Sequence, residues 1–387
     1  MPNNISKTNM HYMKLALKLA ARGAGWVSPN PMVGAVVVKD GRLVGRGWHR
    51  RVGAAHAEVE ALRQAGDAAR NADLYVTLEP CNHLGRTPPC TQAILGAGVA
   101  RLIIATQDPN PQVTGGGAEY LRSRGVVVET GLLAAAARRL NEAWFHWVNT
   151  GRPWVIAKAA CSLDGKIATA GGESQWLTGE AARAFGHRLR HQVDAILVGI
   201  DTVLADDPLL TTRLPDNHPK NDKRKTKKPG KDPIRLVLDS KLRIPLTAKL
   251  LHLDSPAPTW VACTDASPPQ KVRKLERLGA EVLRLPQDSG RVSLPDLLKL
   301  LGARQIQSLL VEGGAEVLGS FFDQNLINMF HFFYAPKILG GRNAPGVLGG
   351  RGVHFLKDAH PAQNLELRCL GPDLLISGHL LQPSKTI

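Results

Sequence analysis

Hydrophobic and polar residues alternate along this chain with two different periods, and each change of period predicts a change between helix and strand. The stretch from His11 to Arg22 carries apolar residues at helical spacing, and Gly23 ends it. The β-branched run from Val33 to Val38 and the return run from Arg42 to Trp48 flank a Lys-Asp-Gly turn, so they predict a hairpin. Further elements are predicted in the order helix from His56, strand Leu74 to Leu78, helix Cys90 to Gly96, strand Val99 to Thr106, a helix after the glycines at 115–117, strand Val126 to Glu129 and helix Leu133 to Trp147.

A second alternating pattern follows Gly151-Arg-Pro, which we interpret as a domain boundary because the first set of elements is complete there. The predicted domains therefore span 1–150 and 151–387. Strands that alternate with helices indicate an α/β fold built on a central sheet. The second domain is predicted to contain strand Trp154 to Ala159, helix Glu180 to His191, strands Ala195 to Gly199, Ile234 to Asp239, Thr259 to Cys263 and Ser308 to Val311, and a hairpin near Met329 to Ala335.

Four residues with metal chemistry lie at predicted element ends between His56 and Cys90. An imidazole from His56 and thiolates from Cys81 and Cys90 form a ligand set that leaves tetrahedral zinc one position open for water, as catalytic zinc requires. Glu58 is then the proton carrier, because a carboxylate beside the water accepts a proton and returns it to a leaving amine. The order His-x-Glu, then Pro-Cys and a second Cys, is typical of zinc nucleobase deaminases, although the two cysteines are nine positions apart where that pattern has three.

Two other interpretations of this stretch stay open on the sequence alone. In one, the cysteines are ordinary buried thiols, since free cysteine behaves as a small core residue. In the other, zinc is structural and the protein is a non-catalytic nucleotide-binding module. Structural zinc requires a fourth protein ligand, for which His83 is the nearby candidate.

The positive charge raises a further interpretation, a tRNA or DNA base deaminase with an accessory domain. The chain has 49 Lys and Arg against 33 Asp and Glu, a formal charge of +16. A protein of that class interleaves basic and aromatic residues near its zinc cleft. Aromatic residues are only 5% of this chain, and much of the charge lies in the lysine-rich stretch 216–232 of the other half. We interpret that stretch as a basic loop insertion and expect no nucleic-acid partner.

Composition also limits the compartment. The five cysteines are odd in number and scattered over 387 residues, which argues against a disulfide framework and favours a reducing compartment. The N-terminal residues lack an apolar signal core, and no apolar run reaches the roughly 18 residues of a membrane span. We therefore expect a cytoplasmic protein without a membrane partner. We also expect a homo-oligomer that acts on small molecules.

Several loops place polar residues at predicted strand ends. Asn30 lies between two prolines beside the first hairpin, and Asp108-Pro-Asn-Pro follows a strand where ligands usually bind in α/β sheets. Glu312 ends the strand that runs through paired glycines into a helix, and backbone amides at such a helix start suit a phosphate. The spacing there does not match the dinucleotide fingerprint, so the pattern alone does not identify the ligand.

Taken together, these motifs resemble the bifunctional deaminase/reductase family of riboflavin biosynthesis, over nearly the whole chain from about His11 to Leu380. The wide cysteine spacing, which a generic deaminase lacks, is typical of this family. The resemblance is carried by P-N-P-M-V-G at 29–34, H-A-E at 56–58, E-P-C-N-H-L-G-R-T-P-P-C at 79–90, Q-D-P-N-P at 107–111, S-L-D-G at 162–165, G-E-S-Q-W at 172–176, L-A-D-D-P-L-L-T at 204–211 and V-E-G-G at 311–314.

The resemblance implies an N-terminal cytidine-deaminase-like three-layer domain that removes the 2-amino group of a diaminopyrimidinone ribosylamine 5′-phosphate. It implies zinc bound by His56, Cys81 and Cys90, with Glu58 as proton carrier. The substrate-binding residues implied for this domain are Asn30, His49, His83, Arg86, Asp108 and Asn110. Arg86 stands where many relatives have lysine, and the two cations differ in geometry.

For the C-terminal half the resemblance implies a dihydrofolate-reductase-like α/β domain that uses NADPH to reduce the ribosyl group to ribityl. Hydride transfer also needs a proton donor, and Lys158 and Glu312 both stay open for that role. The implied NADPH-binding residues are Ala160, Trp176, Thr178, Thr202, Asp206, Ser240, Gly314, Ala315, Glu316, Val317, Leu318, Gly319 and Ser320. The implied substrate-binding residues are Lys158, Ser174, Arg190, Leu210, Arg213 and Glu312.

Overall fold

A computed structural model describes residues 7–83, 88–110, 116–214 and 230–381 of the chain. The chain separates into two compact units between Gly151 and Arg152. The basic stretch predicted as an insertion at 216–232 lies mostly outside the described residues. In the part of the chain that is described, no helix is long and apolar enough to cross a membrane.

The first unit is built on one five-stranded sheet. Its strands are β1 (Gly34–Lys39), β2 (Arg42–Trp48), β3 (Asp73–Val76), β4 (Arg101–Ile104) and β5 (Val127–Thr130). Their order across the sheet is β2-β1-β3-β4-β5, in which β1 runs antiparallel to both neighbours and the last three strands are parallel. The predicted hairpin and all the strands predicted for this half are therefore confirmed, with ends that move by a few residues.

Helices cover both faces of this sheet, as the alternation of side chains along β1 requires. Ala35 and Val37 pack on one face with α2, α3 and α4, whereas Val36 and Val38 pack on the other with α1 and α5. This gives three layers, as expected for the first domain. The helices are α1 (Lys7–Ala20), α2 (Ala57–Ala65), α3 (Cys90–Gly96), α4 (Gly117–Ser123), α5 (Ala134–Leu140) and α6 (Glu142–Thr150).

The single helix predicted from Leu133 to Trp147 is wrong, because two helices meet there at Asn141. The backbone of Asn141 has φ −112° and ψ 24°, outside the helical region. Its buried side chain instead bonds the backbone of Met32 in a distant loop. A tertiary contact therefore interrupts a stretch whose periodicity alone favours one helix.

The second unit is built on a nine-stranded sheet. Its strands are β6 (Trp154–Cys161), β7 (Ala195–Gly199), β8 (Ile234–Leu238), β9 (Thr259–Thr264), β10 (Glu281–Leu285), β13 (Ser308–Val311), β14 (Met329–Tyr334), β15 (Ala362–Leu370) and β16 (Asp373–Leu380), while β11 (Gln287–Asp288) and β12 (Arg291–Val292) form a separate short ribbon. The order is β10-β9-β8-β7-β13-β6-β14-β16-β15, parallel as far as β14 and antiparallel after it.

Helices again pack on both faces, and the buried clusters show which helix covers which face. Helices α10 and α11 pack on one side, and α7, α8 and α9 pack on the other. The helices are α7 (Glu180–Gln192), α8 (Ile200–Asp206), α9 (Pro269–Arg277), α10 (Leu294–Ala303) and α11 (Ala315–Asp323). The two-domain α/β fold expected from the sequence is thus confirmed.

The hairpin predicted near Met329 to Ala335 is wrong. This segment is the single strand β14, which lies parallel to β6 on one side and antiparallel to β16 on the other. The hairpin of this edge is formed by β15 and β16. Nearly every residue of β15 is exposed, so its sequence carries little of the apolar alternation that would reveal a strand.

Candidate functional site

Three side chains with metal-ligand chemistry converge at one edge of the first sheet. His56 immediately precedes α2, Cys81 lies in the loop after β3, and Cys90 is the first residue of α3. Nδ1 of His56 lies 3.1 Å from Sγ of Cys90 and 3.6 Å from Sγ of Cys81, and all three ligand atoms lie within 4.8 Å of one another. Bonds of about 2.0 to 2.3 Å to a tetrahedral ion place its ligand atoms roughly 3.5 Å apart. The donor set and its spacing therefore fit zinc.

The fourth ligand that structural zinc requires is absent from the described residues. Within 7–83, 88–110, 116–214 and 230–381, the metal-ligating group contains His56, Cys81 and Cys90 alone. His83 is exposed and does not belong to it. The arrangement thus has the open position that a catalytic site needs.

Close backbone packing brings the start of α2 to the sheet. Gly47 of β2 faces Ala57, and a Cβ placed on Gly47 would lie 2.3 Å from the carbonyl oxygen of Ala57. The small side chains of Ala57 and Ala61 are fully buried against the same strand. A larger residue at 47 would push α2, and with it His56 and Glu58, away from the two cysteines.

The two thiols of the cluster affect each other's pKa in opposite directions. Hydrogen bonding from Cys90, followed by that from His56, lowers the pKa of Cys81 to about 4 against the cost of its burial. The same shared hydrogen bond raises the pKa of Cys90, which is the other half of the coupled pair. Both thiols must be deprotonated when they bind a metal, so metal binding releases protons.

Glu58 lies in the first turn of α2 with its carboxyl group inside the protein. It is 3% exposed, and its Oε2 accepts no hydrogen bond from any residue that the structure describes. Burial raises the pKa of Glu58 above its ordinary value. An unpartnered buried oxygen next to a metal-ligand cluster fits a group that holds a proton for transfer.

Asn30 and His49 form a hydrogen-bonded pair beside the cluster. Nε2 of His49 lies 3.0 Å from Nδ2 of Asn30, and Nδ1 lies 3.2 Å from the carbonyl oxygen of Ala55. Since that carbonyl can only accept, Nδ1 carries the proton and Nε2 accepts from the Asn30 amide. Burial lowers the pKa of His49, which keeps the ring neutral. The His49 and His56 rings lie 5.4 Å apart, so the structure brings these predicted side chains together.

Sequence reasoning missed Asn141, which fixes the loop that carries Asn30. Its Oδ1 accepts from the backbone N–H of Met32 at 2.8 Å, and its Nδ2 donates to the Met32 carbonyl at 2.9 Å. The two residues are 109 positions apart, and Asn141 is 3% exposed. No local pattern marks a single asparagine inside an apparent helix, so only the fold reveals it.

The remaining predicted residues of this half that the structure describes lie after β3 and after β4. The backbone N–H of Asp108 donates to Oε2 of Glu79 at 3.3 Å, and that of Asn110 donates to Oδ1 of Asp108 at 2.8 Å. Burial raises the pKa of Asp108 to about 6. Glu79 was also missed, although it stands in the Glu-Pro-Cys motif. Arg86 lies outside the described residues.

In the second unit, three charged side chains meet at the centre of the sheet. Arg190, in α7, donates two hydrogen bonds to Glu312, from Nε to Oε1 and from Nη2 to Oε2, both at 2.9 Å. Nζ of Lys158 donates to Oε2 of the same carboxylate at 3.4 Å. Alternation along β6 turns Lys158 and Ala160 away from the core cluster that holds Val155, Ala157 and Ala159, and towards α7.

These charges fix the protonation of Glu312. Burial alone raises the pKa of Glu312, but the charges of Arg190 and Lys158 and their hydrogen bonds outweigh it, so its pKa falls well below the ordinary value. The carboxyl group is therefore ionised at any pH at which the protein works. It cannot supply a proton unless it is first protonated, and protonation would disrupt its two hydrogen bonds with Arg190.

A second cationic group adjoins this cluster around Thr211. The carbonyl of Thr211 accepts from Nη1 of Arg190 at 3.2 Å, and the hydroxyl of Thr211 accepts from Nη1 of Arg213 at 3.0 Å. Nδ1 of His187, a residue that sequence reasoning missed, accepts from the backbone N–H of Arg213 at 3.2 Å. Burial, then the nearby charges of Arg190 and Arg213, lowers the pKa of His187 to about 4. Leu210 packs its side chain in the core and offers a ligand only its backbone.

Another set of predicted residues lies together at the end of α8. Oδ1 of Asp206 accepts from Oγ of Ser174 at 3.5 Å and from Nε2 of Gln175 at 3.1 Å. Trp176 is 65% exposed, and the guanidinium of Arg183 lies 5.1 Å from its ring centroid. Thr178 is buried, and its carbonyl accepts from Arg183 at 2.7 Å. An exposed indole above this loop is a surface on which a flat ring can stack.

A cleft of about 1130 Å³ lies at the carboxyl ends of β7 and β8 and the start of α11. It brings together Ser240, Glu316, Val317 and Ser320. Its position is the usual ligand site of an open α/β sheet. Gly314, which immediately precedes α11, adjoins α8, because a Cβ placed on it would lie 3.9 Å from Oγ1 of Thr202.

Two residues of the predicted 314–320 loop lie away from the cleft. Leu318 packs in the core, and Gly319 packs against the backbone of Gly349, where a Cβ would come within 2.3 Å of a carbonyl. The helical turn therefore presents 316, 317 and 320 to a ligand and uses 318 and 319 for packing. Gly313 is needed for a similar reason, since a Cβ there would lie 2.7 Å from Cβ of Val317.

Comparison with known families gives two matches, one within each compact unit. Residues 6–106 match the model of the cytidine and deoxycytidylate deaminase zinc-binding region. Residues 153–373 match the model of the RibD C-terminal domain. The zinc-binding match covers His56, Cys81 and Cys90, and the second match covers the Arg190–Glu312 cluster.

Whole-length relatives were also found. The riboflavin biosynthesis protein RibD of Bacillus amyloliquefaciens is 45% identical over 367 residues, covering 95% of each chain. The RibD protein of Escherichia coli is 42% identical over 369 residues, covering 95% of this chain and 98% of its own. Among solved structures, Acinetobacter baumannii RibD has a TM-score of 0.85 at 37% identity, covering 97% of this chain and 99% of its own. A diaminohydroxyphosphoribosylaminopyrimidine deaminase/5-amino-6-(5-phosphoribosylamino)uracil reductase from Thermotoga maritima has a TM-score of 0.81 at 35% identity, with the same coverage.

Proposed function

The chain belongs to the RibD family of riboflavin biosynthesis, and from this premise we propose that residues 1–150 form its deaminase domain and residues 151–387 its reductase domain. The first domain hydrolyses the 2-amino group of 2,5-diamino-6-ribosylamino-4(3H)-pyrimidinone 5′-phosphate and releases ammonia. The second then reduces the ribosyl group of the resulting aminouracil to ribityl with NADPH. The observation that carries this proposal is the three-ligand cluster of His56, Cys81 and Cys90 beside the buried Glu58.

In the deaminase domain, His56, Cys81 and Cys90 hold the zinc ion. Zinc bound there supplies an activated water as the nucleophile of the hydrolysis. Glu58 takes up a proton and passes it to the departing amino group, a role that its raised pKa supports. Asn30 is held by His49 and by the loop contact through Met32, so its amide oxygen is oriented for the pyrimidine. His83, Arg86, Asp108 and Asn110 complete the ribotide site in this proposal.

In the reductase domain, the cleft beside Ser240 and the start of α11 holds part of NADPH. The other residues assigned to NADPH by the resemblance do not line this cleft: Ala160, Trp176, Thr178, Thr202 and Asp206. NADPH bound there supplies a hydride to the sugar carbon. Lys158, rather than Glu312, donates the proton to the sugar heteroatom. Two observations support this choice: Glu312 is held as a carboxylate by Arg190, and Lys158 is a cation 3.4 Å from it with three donor positions.

Arg213 binds the 5′-phosphate of the ribotide. Its guanidinium is exposed, unlike that of Arg190, and it is fixed by Thr211. Arginine is the preferred partner of a phosphate monoester because its planar fork matches two phosphate oxygens. Ser174 and Leu210 flank the same site, Ser174 through its hydroxyl and Leu210 through its backbone.

One experiment tests both activities. Purified protein is incubated with the diaminopyrimidinone ribotide, with and without NADPH, and the products are followed by mass. Ammonia loss without NADPH and a further gain of two hydrogens with it are expected. Inertness towards the ribotide combined with activity on tRNA would instead support a nucleic-acid deaminase, and inertness towards both would leave a zinc nucleotide-binding module.

We further propose that the protein forms a homo-oligomer through β15, the edge strand of the second sheet. Leu365 and Leu367 are 54% and 63% exposed on this strand, and an exposed apolar edge is a template for pairing with a second copy. Light scattering after gel filtration is expected to give the molar mass of a multimer. The Leu367→Glu variant is expected to have a lower molar mass, closer to that of a monomer. A monomeric wild-type protein contradicts the proposal.

A cytoplasmic location is proposed as well, because all five cysteines are free thiols.

A further inference from the structure

We propose that His187 and His191 are positioning residues of the reduction: they fix the chain segment that carries Arg213 and thereby set the affinity for the phosphate of the ribotide. This inference rests on the proposed function, because that function assigns the phosphate to Arg213. Both histidines belong to α7, and residues at i and i+4 lie on the same side of a helix. Arg190, which bonds Glu312, lies on that side as well.

His187 fixes the segment of Arg213 directly. The backbone N–H of Arg213 donates to Nδ1 of His187 at 3.2 Å. Because a backbone N–H can only donate, Nδ1 carries no proton and the ring is neutral. Burial, followed by the charges of Arg190 and Arg213, lowers the pKa of His187 to about 4, so the ring stays the acceptor that this bond requires. Arg190 supports the same segment through the carbonyl of Thr211.

His191 fixes a second segment of the chain. The backbone N–H of Lys231 donates to Nδ1 of His191 at 2.9 Å. Burial lowers the pKa of His191, which keeps this ring an acceptor too. Arg213 and Lys231 lie on either side of residues 215–229, which are outside the described part of the chain. Helix α7 therefore bonds the chain both before and after that stretch.

The two segments are also joined to each other. The backbone N–H of Thr212 donates to Oδ1 of Asp232 at 2.7 Å, and its hydroxyl donates to the carbonyl of Lys231 at 2.9 Å. A Cβ placed on Gly230 would lie 2.5 Å from Cγ2 of Thr212, so a larger residue would push the segments apart. Thr212 immediately precedes Arg213. His191 thus acts on Arg213 through the second segment, whereas His187 acts on it directly.

This support matters because Arg213 is an exposed arginine outside any helix or strand. A side chain and a segment that become ordered only on binding lose conformational freedom, and that loss weakens the ligand. Helix α7 packs on the sheet through Ala182 and Leu189, so it orders the segment before the ribotide arrives. Loss of the support should therefore raise the KM for the phosphorylated substrate and leave kcat nearly unchanged.

Steady-state reduction of the deaminated ribotide tests the inference. His187→Leu removes the acceptor, whereas His187→Asn keeps one, because the side-chain oxygen of asparagine accepts an N–H. We expect His187→Leu to raise the KM for the ribotide by about threefold to tenfold, as loss of one hydrogen bond implies, and to change kcat by less than about twofold. His191→Leu should raise the KM by a smaller factor, and His187→Asn should restore most of the affinity.

The matched control is His252→Leu. His252 is an exposed histidine of the same domain, and its Nε2 bonds the carbonyl of Leu246 at 2.8 Å. Its replacement should leave the KM for the ribotide at the wild-type value. Deamination by each variant serves as a second control, because the zinc cluster lies in the other unit.

Two further measurements separate positioning from general destabilisation. With the dephosphorylated ribotide as substrate, His187→Leu should match the wild type in kcat/KM, because there is no phosphate to bind. Arg213→Ala should itself raise the KM for the phosphorylated substrate by about tenfold to a hundredfold, as loss of a contact with a charged group implies. Adding His187→Leu to that variant should raise the KM by less than about a further twofold, since the two residues act as one unit.

The outcomes distinguish this inference from the proposed function. An unchanged KM in His187→Leu, equal losses with the phosphorylated and dephosphorylated substrates, or additive losses in the double variant would overturn the inference and leave Arg213 as the phosphate ligand. An unchanged KM in Arg213→Ala would instead refute the phosphate-binding role of Arg213, and the inference would fail with it.

Discussion

Arg190 holds Glu312 by two parallel hydrogen bonds, Nε to Oε1 and Nη2 to Oε2, each 2.9 Å long. The carboxylate comes from the residue after β13 and the guanidinium from α7, so the contact joins the sheet to a covering helix. Both side chains are largely buried, at 8% and 16% exposure. A buried pair of this geometry is costly to break, because removal of one partner leaves the other charged and unpaired.

We expect Glu312→Gln to lower the free energy of unfolding at pH 7 by about 3 to 5 kcal/mol. The pKa of Glu312 lies below its ordinary value in the fold, so its ionised form stabilises the protein above about pH 4.5, and that contribution is lost as the pH falls further. The difference in Tm between the wild type and Glu312→Gln should therefore narrow in acid. Thermal melts from neutral to acidic pH measure it.

The matched control for this variant is Glu281→Gln. Glu281 pairs with Arg304 at 2.7 Å, but both are partly exposed, so its removal should cost less than about 1 kcal/mol. A Tm difference for Glu312→Gln that stays constant with pH would show that Glu312 is not ionised in the folded protein.

Lys158→Met is expected to lower the rate of reduction by about a hundredfold or more, because it removes the proposed proton donor. The dissociation constant of NADPH should stay near its wild-type value, since Lys158 contacts Glu312 and not the cleft residues. Deamination by the same protein serves as the internal control and should be unaffected. Single-turnover reduction at the wild-type rate would remove Lys158 from the chemistry.

Glu58→Gln is expected to retain zinc and to lose deamination by about a hundredfold to ten-thousandfold, because glutamine cannot carry the proton. Zinc content by mass spectrometry and ammonia release measure the two effects. Reduction of the deaminated intermediate should continue. A variant that has lost its metal would make Glu58 a ligand instead of a proton carrier.

Asn141→Ala should raise the KM of deamination by about tenfold, because two backbone hydrogen bonds that fix the Asn30 loop are lost. Zinc content and kcat should change much less, and this split separates a positioning role from general destabilisation. Gln64→Ala is the control, since Gln64 makes a similar bond to the N–H of Arg46 on an exposed surface. Equal losses in KM, kcat and zinc content would indicate unfolding of the domain.

Removal of zinc is expected to abolish deamination and to leave NADPH binding intact, because the ligand cluster lies in the first unit and the cofactor cleft in the second. Zinc should be released as the pH is lowered, because His56, Cys81 and Cys90 bind the metal only in their deprotonated forms. Metal content after dialysis at each pH measures this. Cys81→Ser should lose zinc at neutral pH, whereas Cys369→Ser, at an exposed thiol outside the cluster, should not.

Local sequence patterns were sufficient to predict the two-domain α/β fold, most strands and the grouping of His56, Glu58, Cys81 and Cys90. These features have local signatures: apolar periodicity fixes which face of a strand is buried, and metal ligands need particular residue types at element ends. The sequence also pointed to both Lys158 and Glu312 but could not choose between them. The protonation of Glu312 depends on Arg190, which only the packing of α7 brings into contact with it.

Tertiary structure alone decided the features that depend on distant pairs. Asn141 meets Met32 across 109 positions, and β14 joins β6 and β16 instead of a local partner. In each case the residue type permits several partners, and the partner is selected by which elements lie side by side. Local periodicity carries no information about that choice, because it depends on the order of strands in the sheet.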